Sequence, residues 1–152
     1  MGRSVSVIVP SVGNADELGI ALDGLLAQTY YGPLEVVVVG PRGDSSRQQA
    51  ESRGVRFIDD AGSRTRADAC NVALDSTKSE LVFFTDDDVI VPKDWVESLA
   101  RWFERPEVAG VGGPNFAPLE SSTLQQQVID VSFTMRTRSV TETEARSTPL
   151  AR

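Results

Sequence analysis

Three consecutive carboxylates, Asp86, Asp87 and Asp88, stand in the segment LVFFTDDDVIVP, between two apolar runs. Adjacent carboxylates repel one another, and a bound cation relieves that repulsion. Their oxygens are hard donors of the kind that suit Mg2+ or Mn2+. Mg2+ commonly takes one or two carboxylates and completes its shell with water and substrate phosphate. In extended backbone Asp86 and Asp88 point one way and Asp87 the other. The spacing therefore predicts a metal site at Asp86 and Asp88, completed by a diphosphate whose departure the metal would assist. Taken alone, three aspartates are equally well explained as a solvated acidic turn, so the surrounding elements must decide.

Those elements alternate. SVSVIV, residues 4–9, is short and β-branched and reads as a strand ended by Pro10. Asn14 followed by Glu17 has the spacing of a capping box. Leu18, Ala21, Leu22, Leu25 and Leu26 then recur at helical intervals. Gly32-Pro33 breaks the chain, and EVVVV, residues 35–39, is a continuous apolar strand of the sort buried on both faces of a parallel sheet. The loop GPRGDSS leads into a polar helix over residues 45–53, a strand over 55–58 and a turn over 59–63. A helix is expected over 65–74 and a fourth strand over 81–85. A helix starting at Pro92 carries Trp95, Leu99, Trp102 and Phe103, and a fifth strand is expected over 108–111. Residues 120–135 read as a further helix and 136–152 as a polar tail. Repeated strand–helix alternation predicts an α/β fold with a largely parallel sheet and flanking helices. In such sheets ligands bind beyond the carboxyl ends of the strands, where the three aspartates fall.

Composition narrows the partners. The 152 residues are 40% hydrophobic, enough for a packed core, and the formal net charge is −7. That field repels a phosphate backbone, so nucleic acid is not an expected partner. A single cysteine, Cys70, excludes an intrachain disulfide and fits a reducing compartment. It is expected to be an inert core thiol. No apolar run reaches the ~20 residues that span a bilayer, and the expected location is the cytoplasm.

Residues 4–116, taken in order, resemble the donor-binding half of a family 2 glycosyltransferase. VSVIVPSVGNADEL resembles its opening strand, turn and first helix, and LLAQTYYGPLEVVVVG its next turn and strand. ADACNVALDSTKSELVFFTDDDVIVPKDWVESL resembles the approach to the DxD motif and the helix behind it, and VAGVGGPN the strand that follows. The resemblance implies a Rossmann-like, GT-A type domain over residues 1–119. It implies metal-assisted, inverting transfer of a sugar from a nucleotide-diphosphate donor of the UDP, GDP or dTDP type to a hydroxyl. The acceptor would be a saccharide or a lipid-linked molecule, the latter allowing peripheral contact with a membrane. Carried over residue by residue, Asp86 meets the ribose or the metal, Asp88 ligates the metal and Asp87 lies between them. Pro10, Ser11 and Asn14 line the nucleotide, and Arg66, with Arg64 as the alternative, lies near the base or phosphates.

Two departures stand out. The family's acidic residue after the second strand, which reads the base, is replaced by Gly40. Asp44 could substitute only if its loop folds back. The family's catalytic base should follow well after the DxD motif. Asp130, Glu142 and Glu144 lack its context, so the base is unassigned and the sequence reads as a partial, truncated domain. Such a half-sheet would leave an open edge and predicts self-association or marginal stability. Two rival readings follow: a nucleotide-sugar-binding module without turnover, and a nucleotidyltransferase. The second is disfavoured because PSVGNADEL lacks the basic residue that a triphosphate requires.

Overall fold

Runs of valine dictate the centre of the molecule. In a computed structural model that describes residues 2–113 and Phe116, β1 (Val5–Pro10) and β2 (Leu34–Gly40) pair in parallel, with Val7 opposite Val36 and Val9 opposite Val38. β3 (Arg56–Asp59) adds outside β2, and β4 (Leu81–Phe84) adds on the other side of β1. The order is β3-β2-β1-β4, all parallel. The chain leaves β1 in one direction and later returns to its opposite side, which makes the β1/β4 boundary a topological switch point.

Between the strands lie α1 (Ala15–Leu26), α2 (Ser45–Ser52) and α3 (Arg66–Asp75). After β4 come α4 (Trp95–Ala100) and a 3-10 turn, Arg101–Glu104. Val5, Val7 and Val9 pack with Leu18, Leu22 and Leu25 of α1 on one face of the sheet. Ala50 of α2 and Val96 of α4 join that cluster. On the other face Ile8 and Val39 meet Ala69 and Ala73 of α3. Both faces of β1 and β2 are thus covered, which is why their sequences are apolar without alternation. Ser6 is buried within the sheet and satisfied, its hydroxyl donating to Glu35 at 3.1 Å and hydrogen-bonded to the Ser79 hydroxyl at 2.8 Å.

Four expectations need correction. Asn14 occupies the N-cap position of α1 but its side chain makes no capping bond. Its φ of −101° and ψ of 48° lie outside the extended region that a capping side chain needs. The reciprocal cap forms at α3 instead, where the Thr65 hydroxyl accepts from the Asp68 amide at 3.1 Å and donates to the Asp68 carboxylate at 2.8 Å. Pro92 lies three residues ahead of α4, in the turn that the Trp95 amide closes onto the Pro92 carbonyl. Residues 108–111 are not in a strand and pair with no neighbour among the described residues, and the Val108 amide closes a turn onto Arg105. Cys70 belongs to neither apolar cluster and is half-buried on α3.

The chain divides into two units, residues 1–110 and 111–152, and the sheet lies wholly in the first. The expected helix over 120–135 and tail over 136–152, with Asp130, Glu142 and Glu144, fall outside the described residues. Among the described residues no helix is long and apolar enough to cross a membrane.

Candidate functional site

The carboxyl ends of β1, β2 and β4 bring the candidate residues to one edge. β1 ends at Pro10, and the ladder runs one step further, with the Ser11 amide bonded to the Val39 carbonyl at 2.9 Å. Beyond β4 the Thr85 amide reaches the Ile8 carbonyl at 3.2 Å. The backbone then turns at Asp87 and Asp88. Ser11, only 3% exposed, donates its hydroxyl to the Asp87 carboxylate at 2.7 Å. That bond spans the switch point and joins the turn after β1 to the turn after β4.

The three aspartates have three different environments. Asp87 is held by Ser11. Asp86 is ion-paired with Arg66, the first residue of α3. Asp88 is exposed and, among the described residues, has neither hydrogen bond nor ion pair. Asp86 and Asp88 offer the hard oxygens that suit Mg2+ or Mn2+. Among the described residues no group of three acidic, histidine or cysteine side chains forms a metal cage. Two carboxylates therefore fit a cation that keeps positions for water and ligand oxygens.

On the β2 side the arrangement is closed. A Cβ on Gly40 would stand 2.3 Å from the Ser11 carbonyl oxygen, so no side chain fits where an acidic one was sought. The loop after Gly40 does fold back. One oxygen of Asp44 accepts from the Ser46 amide at 2.8 Å and caps α2, and the other accepts from the Gly13 amide at 3.1 Å. Gly13 has a φ of +75°, the left-handed conformation that aims its amide at this carboxylate without a Cβ penalty. Burial works against charge on Asp44, but hydrogen bonding from Ser46 and Gly13 outweighs it and holds the carboxyl below its ordinary value. Arg42, in the same loop, pairs with Asp59 at the end of β3 at 2.7 Å, and that contact holds the Asp59 carboxyl low as well.

Of the expected site residues, Pro10, Ser11, Gly40, Arg66, Asp86, Asp87 and Asp88 stand at or beside this edge, with Asn14 exposed at the start of α1. Arg64 is exposed in the turn before α3 and has no drawn contact with the aspartates. The sequence reading named Asp44 as a candidate substitute for the acidic residue but missed its capping role, and it missed what Gln28 does. Asp44 carried a signal, since Asp before Ser-Ser is a good N-cap. Gln28 carried none of its own. Its side chain donates to the Pro92 carbonyl at 2.7 Å and accepts from the Val96 amide at 2.9 Å, fixing the segment behind the aspartates. Thr29 adds two bonds to the Lys93 carbonyl.

A model of glycosyl transferase family 2 matches residues 6–149. The chain belongs to this family. Its curated relatives include the O-antigen biosynthesis protein RfbC of Myxococcus xanthus, 30% identical over 138 residues, which are 86% of this chain and 10% of RfbC. The fold is similar to the mannosyltransferase PcManGT of Pyrobaculum calidifontis, solved in complex with GDP-Man and Mn2+. There the TM-score is 0.63 at 30% identity, over 71% of this chain and 34% of that one. S. aureus TarS 1-349, solved in complex with UDP, is similar with a TM-score of 0.55 and 26% identity, over 74% of this chain and 38% of that one. The family 2 chain thus has the GT-A type fold and spans about a tenth to two fifths of the length of these three proteins.

Proposed function

We propose that this edge binds the nucleotide-diphosphate part of a sugar donor for an inverting, metal-assisted sugar transfer. The Ser11–Asp87 bond across the switch point carries the reading, because it sets the exposed turn at Asp86 and Asp88 where a ligand of this fold must lie. Two similar proteins support the donor class, one with GDP-Man and Mn2+ and one with UDP.

In this reading Pro10, Ser11 and Asn14 form the floor under the nucleoside. Asp86 accepts from a ribose hydroxyl or shares the cation, and Asp88 holds the cation. Asp87, fixed by Ser11, keeps the turn from swinging away. A bound Mg2+ or Mn2+ would supply Lewis-acid stabilisation of the departing diphosphate. Gly40 contributes no side chain, and both Asp44 oxygens already accept from protein amides. The base is then read by backbone groups of the Ser11–Asn14 and Gly40–Asp44 loops. An acceptor hydroxyl needs a carboxylate base to lose its proton. No described residue is assigned that role.

The test is calorimetric titration with UDP, GDP, CDP and dTDP, each with and without Mn2+. One nucleotide should bind, with metal only, and Asp88→Ala should abolish that dependence. Metal-dependent binding that survives in Asp88→Ala would remove the metal assignment. Release of sugar from the matching donor, with and without acceptor, separates transfer from binding alone.

A further inference from the structure

The Asp86–Arg66 pair has a consequence for how metal and nucleotide bind. The Arg66 guanidinium sits against the Asp86 carboxylate, and the two side chains are 56% and 43% exposed. Arg66 also hydrogen-bonds the Cys70 side chain, but the pair is about half exposed, and exposed ion pairs contribute little to stability. A guanidinium fork accommodates phosphate as well as carboxylate. Asp87 is occupied by the Ser11 hydroxyl at 2.7 Å. Asp86 is therefore the carboxylate of the three whose partner is a half-exposed cationic side chain.

We propose that Arg66 and the divalent cation compete for Asp86, and that Arg66 transfers to the diphosphate when metal and nucleotide arrive together. Arg66 is then a positioning residue that makes the two ligands bind interdependently. Without nucleotide, Arg66 occupies a metal ligand, and the apparent metal affinity falls by the fraction of Asp86 so held. With nucleotide, Arg66 has a second anion to satisfy, Asp86 is released, and the site closes on both ligands. Linkage requires the nucleotide to raise metal affinity by the same factor as the metal raises nucleotide affinity. The inference rests on the donor-site reading given above.

Arg66→Gln and Arg66→Lys test it. Mn2+ alone is titrated by electron paramagnetic resonance, then UDP, GDP, CDP and dTDP are titrated at saturating Mn2+. Arg66→Gln should bind Mn2+ alone about two- to fivefold more tightly, as loss of an exposed competing pair implies. The same variant should bind nucleotide with Mn2+ about tenfold more weakly, as loss of a charged hydrogen bond implies. Arg66→Lys, which keeps the charge without the fork, should lie between wild type and Arg66→Gln in both. These opposite signs cannot come from a damaged fold, which weakens both ligands together. Unchanged or weaker Mn2+ binding in Arg66→Gln, with or without loss of nucleotide, would overturn the competition. If the wild type binds none of UDP, GDP, CDP and dTDP with Mn2+, the donor-site reading falls and this inference with it.

Discussion

The two sides of the switch point are built differently. The β2 side is a wall: both carboxylate oxygens of Asp44 accept from protein amides, those of Gly13 and Ser46, and the Ser11 carbonyl leaves no room for a side chain at Gly40. On the β4 side, Asp86 and Asp88 stand on an exposed turn, one paired with a half-exposed arginine and the other with nothing among the described residues. Carboxylates of the wall hold protein; carboxylates of the turn are available to hold something else. Substitutions in the wall should therefore show in stability, and substitutions in the turn in binding.

The largest effect should come from placing in the wall the acidic residue that the family resemblance led us to expect. Gly40→Asp drives a Cβ into the Ser11 carbonyl, and overpacking of this kind costs about 3 kcal/mol. Denaturant unfolding should show that loss; a stable Gly40→Asp would mean the two loops separate readily and the wall is not rigid. Asp88→Ala should do the converse, costing at least about tenfold in metal-dependent nucleotide affinity, some 1.4 kcal/mol, while the melting temperature without ligand stays unchanged.

Asp44→Ala should cost about 1 kcal/mol of stability, the usual value of an N-cap. Its pH dependence follows from the lowered carboxyl. A group held below its unfolded value stabilises fully above that value, and the gain disappears as pH falls through the folded one. The destabilisation by Asp44→Asn should thus be largest near neutrality and vanish well below about pH 4. A constant difference down to pH 2 would assign it to lost geometry instead. The smallest effect concerns Cys70. Burial pushes its thiol up, opposed by Arg66 and reinforced by Asp86, so at pH 8 a thiol reagent should label it more slowly than free cysteine. Arg66→Gln should slow labelling further.

The main architecture was legible because valine-rich strands and leucine stripes report burial directly. The sheet order was not, since nothing in Leu81–Phe84 says that it returns beside Val5–Ile8 rather than extending the other edge. Local signals competed and misled. Asn14 and Glu17 have capping-box spacing, but the turn through Gly13 sets the wrong dihedrals, and the side-chain cap forms at Thr65 of α3 instead. Val108 to Val111 has strand composition and no pairing partner among the described residues. In the site, the aspartate triplet stood out by its position after the fourth strand, whereas Ser11 was named only through the family resemblance. The role of Gly40 was not, because a backbone approach from a loop 29 residues earlier leaves no mark on a glycine. Gln28 was quoted for resemblance, while its physical work, tying α1 to α4, needed the tertiary structure.

The most direct test of the central claim is a crystal of this chain grown with Mn2+ and the nucleoside diphosphate that binds, with anomalous data collected at the manganese edge. The account predicts one peak at about 2.0–2.6 Å from a carboxylate oxygen of Asp88, with diphosphate oxygens completing the shell. It also predicts Arg66 turned from Asp86 to phosphate. A nucleotide bound at this edge with manganese absent from Asp86 and Asp88, or a manganese–nucleotide pair elsewhere on the molecule, would contradict it.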